Sequence, residues 1–169
     1  VASEVLAQPQ IDDDVVVVQS IDGKVSAYDA IDGSRKWIYT TNIPSLTLRG
    51  TATPIISGDV ILVGFSSGRV TLLEKETGFS GLDRRVGVAQ GGSDLERLVD
   101  IDGAMAMENG RLYAVSFQGR IMSIDIATGR TLWSEEASSV SGVGTGFGNV
   151  YLASSDSQIS AYNADNGRE

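Results

Sequence analysis

Three features of the sequence predict an all-β chain built as a β-propeller of four-stranded antiparallel blades, an incomplete ring holding about four of them. One strand-and-turn pattern recurs four times. Its apolar side chains alternate with period two, and its glycines keep a constant offset while the joins between copies vary in length. Four short strands per unit, repeating every ~40–45 residues, make a propeller blade.

The copies read VVVVQSIDGKVSAYDAIDGSRKW (15–37), VILVGFSSGRVTLLEKETGFSGL (60–82), RLYAVSFQGRIMSIDIATGRTLW (111–133) and NVYLASSDSQISAYNADNGRE (149–169). The turn position is Gly23, Gly68, Gly119 and then Ser157, and ten residues later come Gly33, Gly78, Gly129 and Gly167. Within each copy a β-rich run (Val15–Val18 in the first) is strand B. The alternating VSAYD, VTLLE, IMSID or ISAYN is strand C, with one face buried. An irregular stretch rich in small residues precedes each copy (VLAQPQI, TATPIIS, GAMAME, VSGVGTG) and suits a crowded inner strand A. Strand D carries RKWIY or RTLWS. The approximate blades are 4–40, 51–86, 103–136 and 140–169, the last lacking its outer strand. Exposed blade faces are liabilities, so the open faces are expected to pair with another copy or another fragment.

The glycines are expected to serve tight turns at positive φ, since no phosphate-binding pattern leads from a strand into a helix. Trp37 and Trp133 fall four residues after Gly33 and Gly129, with Leu82 in the same place after Gly78. Recurrence at one repeat position points to packing between blades; stacking on a carbohydrate is the functional alternative.

Composition narrows the function. The 169 residues carry 13 Lys+Arg against 22 Asp+Glu, a net charge of −9, which excludes nucleic acid as a partner and disfavours a grip on anionic lipid. With no Cys and no His, a thiolate zinc site, a cysteine nucleophile and a Ser-His-Asp triad are all absent. No apolar run approaches the ~18–20 residues needed to span a bilayer as a helix. No residue is assigned a catalytic, metal-binding or cofactor-binding role. Asp12-Asp13-Asp14 reads as a solvated hairpin loop, because a calcium site needs further oxygen ligands at regular spacing.

Two joins stand apart from the repeat: IPSLTLRGTATP (43–54) and AQGGSDLERLVDIDG (89–103). In a four-stranded blade the D-to-A join and the B–C turn emerge on one face, so these consecutive joins should lie side by side. Long loops on one face are where function tends to be built. Leu46 and Leu48 point the same way if the first join is extended. With Arg49, Asp100 and Asp102 they would form a small apolar anchor flanked by charge, the composition of an interface hot spot. The structural alternative stays open: the leucines begin an inner strand, Arg49 pairs with Asp100 or Asp102, and Asp102-Gly103 is a turn.

The texts AYDAIDGSRKW and SIDIATGRTLW resemble the pyrroloquinoline-quinone (PQQ) type of repeat, A-x-D-x-x-x-G-x-x-x-W, shared by quinoprotein dehydrogenases and by propellers without cofactor. The two joins, with their SLxLRG and E-x-R-L-x-D-x-D segments in this order, resemble the BamB family of outer-membrane protein assembly factors. The likeness extends over all 169 residues as about half of an eight-bladed ring. It implies a non-catalytic scaffold of the outer-membrane β-barrel assembly machinery, without cofactor, at the periplasmic face of a Gram-negative outer membrane. In that family the membrane is reached only through a lipid on an N-terminal cysteine, which this sequence does not include. Leu46, Leu48, Arg49, Asp100 and Asp102 match the family positions that bind BamA through its POTRA domains; unfolded outer-membrane clients are a second expected partner. The alternatives are a fragment of a PQQ-dependent dehydrogenase, which needs a Ca²⁺ site and an Asp base, and a structural propeller with some other partner.

Overall fold

A computed structural model describes residues 3–48, 50–87, 98–154 and 156–169. Among them the chain forms fifteen strands and no helix, arranged as four antiparallel sheets in which neighbours in sequence are neighbours in space. The first sheet is β1 (Gln10–Asp12), β2 (Val15–Ser20), β3 (Lys24–Asp29) and β4 (Arg35–Thr40). The second is β5 (Ile55–Ser57), β6 (Val60–Phe65), β7 (Arg69–Glu74) and β8 (Ser80–Arg85). The third is β9 (Ala106–Glu108), β10 (Arg111–Val115), β11 (Gly119–Asp125) and β12 (Thr131–Ala137). The fourth has three strands, β13 (Val143–Gly146), β14 (Asn149–Ala153) and β15 (Ile159–Asn163). This is the expected all-β propeller with an open ring.

Alternation sets the register. Val17 faces Gln10 on one side and Ala27 on the other, and Ala27 faces Trp37, which stacks these side chains on one face of the first sheet. Val15, Val17, Val25 and Ala27 on that face are fully buried. They pack against Ile61, Val63, Phe65 and Leu73 of the second sheet. A second core joins Leu62 and Val70 to Leu112, Ala114 and Ile124 of the third sheet. A third joins Tyr113, Val115 and Ile121 to Val150, Leu152 and Tyr162 of the fourth. The apolar core therefore lies between blades rather than at a single centre.

The recurring position four residues after the turn glycine closes each of these interfaces, with tryptophan at two of the three. The Trp37 indole N–H donates to the Lys75 carbonyl at 2.8 Å, and its ring covers Gly78 so closely that a Cβ there would sit 2.5 Å from it. Trp133 does the same in the third sheet, donating to the Ala164 carbonyl at 2.9 Å and covering Gly167. Leu82 takes the place over Gly129. Each outer strand thus lays one large side chain on the C–D turn glycine of the following sheet.

Gly23 and Gly33 adopt φ of 77° and 72°, as tight turns require. The third sheet departs from the repeat: Gln118, at φ 47°, is its left-handed B–C residue. Gly119 instead supplies room, since a Cβ there would lie 2.1 Å from the Ser116 hydroxyl oxygen. The acidic run 12–14 is not simply solvated. Asp12 pairs with Lys75 at 3.1 Å and Asp14 with Lys36 at 2.9 Å, tying the A–B hairpin to neighbouring strands.

Candidate functional site

Hydrogen bonds sort the loops onto two faces. The joins start against B–C turns: Thr41 N–H donates to Gly23 O at 3.0 Å, Val86 N–H to Gly68 O at 2.8 Å, and Gln118 N–H to the Ser138 hydroxyl at 3.0 Å. The C–D turns lie against A–B turns on the other side, where Ala30 N–H reaches Asp14 O and Ala164 N–H reaches Gly148 O.

The first join is not a uniform extended segment; it bends at Ser45 and Leu46. As a result the two leucines enter different environments. Leu46 is 43 % exposed, while Leu48 is half-buried. Arg49 and residues 88–97, with Glu96 and Arg97, lie outside the described residues.

The end of the second join runs buried between the second and third sheets. Ile101 is fully buried against Gly64, where a Cβ would meet its side chain at 2.7 Å, and its N–H donates to Phe65 O at 3.3 Å. Phe117 N–H donates to Asp100 O at 2.9 Å. These contacts fix the backbone on either side of the Asp100 side chain, which turns towards the first join. The Leu48 N–H donates to Asp100 Oδ2, and Gly50 sits so close to Asp102 that a Cβ there would lie 2.8 Å from its carboxyl carbon. The structure therefore brings Leu48, Asp100 and Asp102 together, with Leu46 on the exposed bend.

Asp100 is 1 % exposed, so it acts on the first join rather than on anything in solvent. Burial, and then the neighbouring Asp102 charge, push its carboxyl up to about 7, while the Leu48 N–H pulls the other way. Burial alone raises Asp102 to about 6. Among the described residues, the Oδ1 atoms of both are buried without a hydrogen-bond partner. Such a pair can hold a loop and can receive a donor or a cation.

Beside the bend lies a cavity of about 330 Å³, bounded by the B–C turn of the first sheet and the first join. Ile21, Ile43, Pro44 and Leu48 supply its apolar lining. Sequence reasoning did not single out Ile21 or Ile43. The available signal was that B–C turns and joins share a face, which places these two residues opposite each other.

Residues 1–169 match the family model described as outer membrane protein assembly factor BamB. The chain is 43 % identical over 119 residues to the Pseudomonas aeruginosa outer membrane protein assembly factor BamB, covering 70 % of this chain and 31 % of that one. It is 31 % identical over 166 residues to the Shewanella oneidensis protein of the same name, covering 98 % of this chain and 42 % of that one. The crystal structure of BamB from Moraxella catarrhalis superposes with a TM-score of 0.94 at 34 % identity, over 99 % of this chain and 51 % of that one. The chain thus spans about half of the length of these relatives, or less. A quinohemoprotein alcohol dehydrogenase from Comamonas testosteroni superposes over 80 % of this chain and 21 % of that one, with a TM-score of 0.65 at 22 % identity, a likeness of fold alone.

Proposed function

Because the chain belongs to the family of the outer membrane protein assembly factor BamB, we propose that it is a non-catalytic scaffold part of the outer-membrane β-barrel assembly machinery. In this reading it binds the POTRA domains of BamA through the joins on one propeller face. The observation that carries the reading is the contact between the two joins. Asp100, held in the core, accepts the Leu48 N–H and so holds the 43–48 segment of the first join against the second. Ordering a loop in advance lowers the entropic cost of association. Leu46 on the exposed bend, Leu48 and Arg49 are the contact residues of this reading; Asp100 and Asp102 support them.

The proposal extends to location: the periplasmic face of a Gram-negative outer membrane, with a lipid anchor in the full-length protein. Unfolded outer-membrane proteins are proposed as clients, received by strand addition at a blade edge. Calorimetric titration with the POTRA domains of BamA tests the central claim. Leu48→Ala and Arg49→Ala are each expected to weaken binding by about 2 kcal/mol or more, with little change in thermal stability. Unchanged affinity in both variants overturns the assignment.

A further inference from the structure

We propose that Asp100 and Asp102 form a proton-dependent latch between the two joins: the pair clasps the 43–48 segment while it carries a proton and loosens its hold when both carboxyls are ionised. The latch belongs to the chain alone and operates whether or not a partner docks on this face. Its geometry joins segments 52 residues apart in sequence. Leu48 N–H donates to Asp100 Oδ2, and a Cβ on Gly50 would lie 2.9 Å from the Asp102 Cβ, so no side chain separates the second carboxyl from the first join. Among the described residues the Leu48 N–H is the one hydrogen-bond donor that reaches either carboxyl, and both Oδ1 atoms are buried without a partner.

A buried carboxylate needs donors or a cation to offset its lost hydration, and two such charges side by side repel. One N–H serves one charge, not two. The pair is therefore stable with a proton and poorly compensated with none. Burial, with the Asp102 charge beside it, pushes Asp100 up to about 7, and burial pushes Asp102 to about 6. Once the segment lifts away, the carboxyls meet water and ionise near the ordinary 3.8. The clasped form thus binds more protons, so its advantage is complete below about pH 4, falls as pH rises to about 7 and is constant above. Charges on the surrounding elements are engaged elsewhere or face solvent. Asp22, on the B–C turn of the first sheet, pairs with Lys24, and Arg69, behind that of the second, pairs with Asp83 at 2.7 Å. The turn of the third sheet presents Ser116, Phe117 and Gln118, and Arg85 and Arg120 are exposed. The stretches 41–48 and 98–103 hold no other ionisable side chain.

Amide-resolved hydrogen exchange on the chain between pH 5 and 8, with each rate divided by its intrinsic value at that pH, tests the latch. The Leu48 amide is expected to lose protection at least tenfold across this range. The Thr41 amide, bonded to Gly23 O at the start of the same join, should change less than threefold. In Asp100→Asn the side-chain carbonyl still accepts the Leu48 N–H, and protection at Leu48 should vary less than threefold. Asp102→Asn leaves that hydrogen bond in place and removes the neighbouring charge, so the loss should be at least threefold smaller than in the parent. Arg49→Gln should keep the parent profile. Flat protection at Leu48 in the parent overturns the latch. Equal loss at Thr41 does the same, because the opening is then not local to the clasp. A parent-like profile in Asp100→Asn, or in Asp102→Asn if the first variant does not fold, removes the pair as its cause. A profile abolished by Arg49→Gln does so as well, since the guanidinium then sets the balance.

Discussion

Asp100 shows what one residue can and cannot reveal before the fold is known. Its place in a D-x-D-G text is compatible with a surface turn, an ion pair or a partner contact. The choice depends on contacts made after folding, Ile101 against Gly64 and Asp100 under the Leu48 N–H, and packing partners distant in sequence do not show in a local pattern. Leu46 and Leu48 were nameable from sequence, but their division into one exposed and one half-buried residue follows from the bend at Ser45–Leu46. Burial of Asp100 has a measurable consequence. The folded chain keeps its proton up to about pH 7, whereas an unfolded carboxyl releases it near 3.8. A raised folded value means that the folded state binds more protons across that interval, so unfolding free energy falls as pH rises from about 4 to 7 and levels off above. Asp102, raised to about 6, adds in the same direction. In Asp100→Asn the side-chain carbonyl can still accept the Leu48 N–H, but nothing at this position ionises. Thermal melts at pH 4.5, 6 and 8 should therefore show a shallower decline in the variant than in the parent. Parallel curves refute the assignment of the slope to Asp100.

At the scale of strands and sheets, the sequence pattern carried most of the information. Strands B and C were readable because alternation is imposed by the sheet itself: one face of β2 and β3 is apolar and fully buried against the next blade, and the other is only partly buried. The inner strands were harder. β1, β5 and β9 are three residues each, too short to show a period, and only the small residues of the longer stretches around them marked the region. Trp37 and Trp133 were readable for a different reason, since an interface repeated at each blade leaves its key residue at a fixed distance from the turn glycine. Their role fixes a cost. Trp37→Ala removes a buried indole, its hydrogen bond to Lys75 and the cover over Gly78, and should destabilise the chain by about 3–5 kcal/mol in urea titration. Exposed Ile31→Ala, in the C–D turn of the same sheet, should stay within about 0.5 kcal/mol of the parent. Comparable losses in the two variants refute the inter-blade role.

For the whole molecule, the decisive feature is that three blade interfaces are filled while each end sheet leaves apolar side chains exposed. Gly78, Gly129 and Gly167 each lie under a large side chain of the preceding sheet, whereas nothing approaches within 4 Å of the place where a Cβ on Gly33 would stand. The outer face of the first sheet shows Ile11 and Ile38, and that of the fourth shows Tyr151 and Ile159, all solvent-exposed. The fourth sheet has no outer strand to lay a side chain over Gly33, but its exposed Tyr151 and Ile159 are predicted to meet Ile11 and Ile38 of another copy. Such head-to-tail contacts close into a ring when the rotation permits and otherwise grow open chains. Here the chain overlays 51 % of the Moraxella catarrhalis protein with a TM-score of 0.94, so two copies occupy the arc of one such relative. The 169-residue chain taken alone should therefore form a closed dimer as its concentration rises, at twice its 17.8 kDa in light scattering coupled to size exclusion. Ile159→Asp with Tyr151→Asp charges one side of the contact and Ile38→Asp the other, and either change should restore the monomer without lowering the melting midpoint of dilute samples. A parent chain that remains a monodisperse monomer at high concentration contradicts this pairing, and open-ended growth contradicts the two-copy closure.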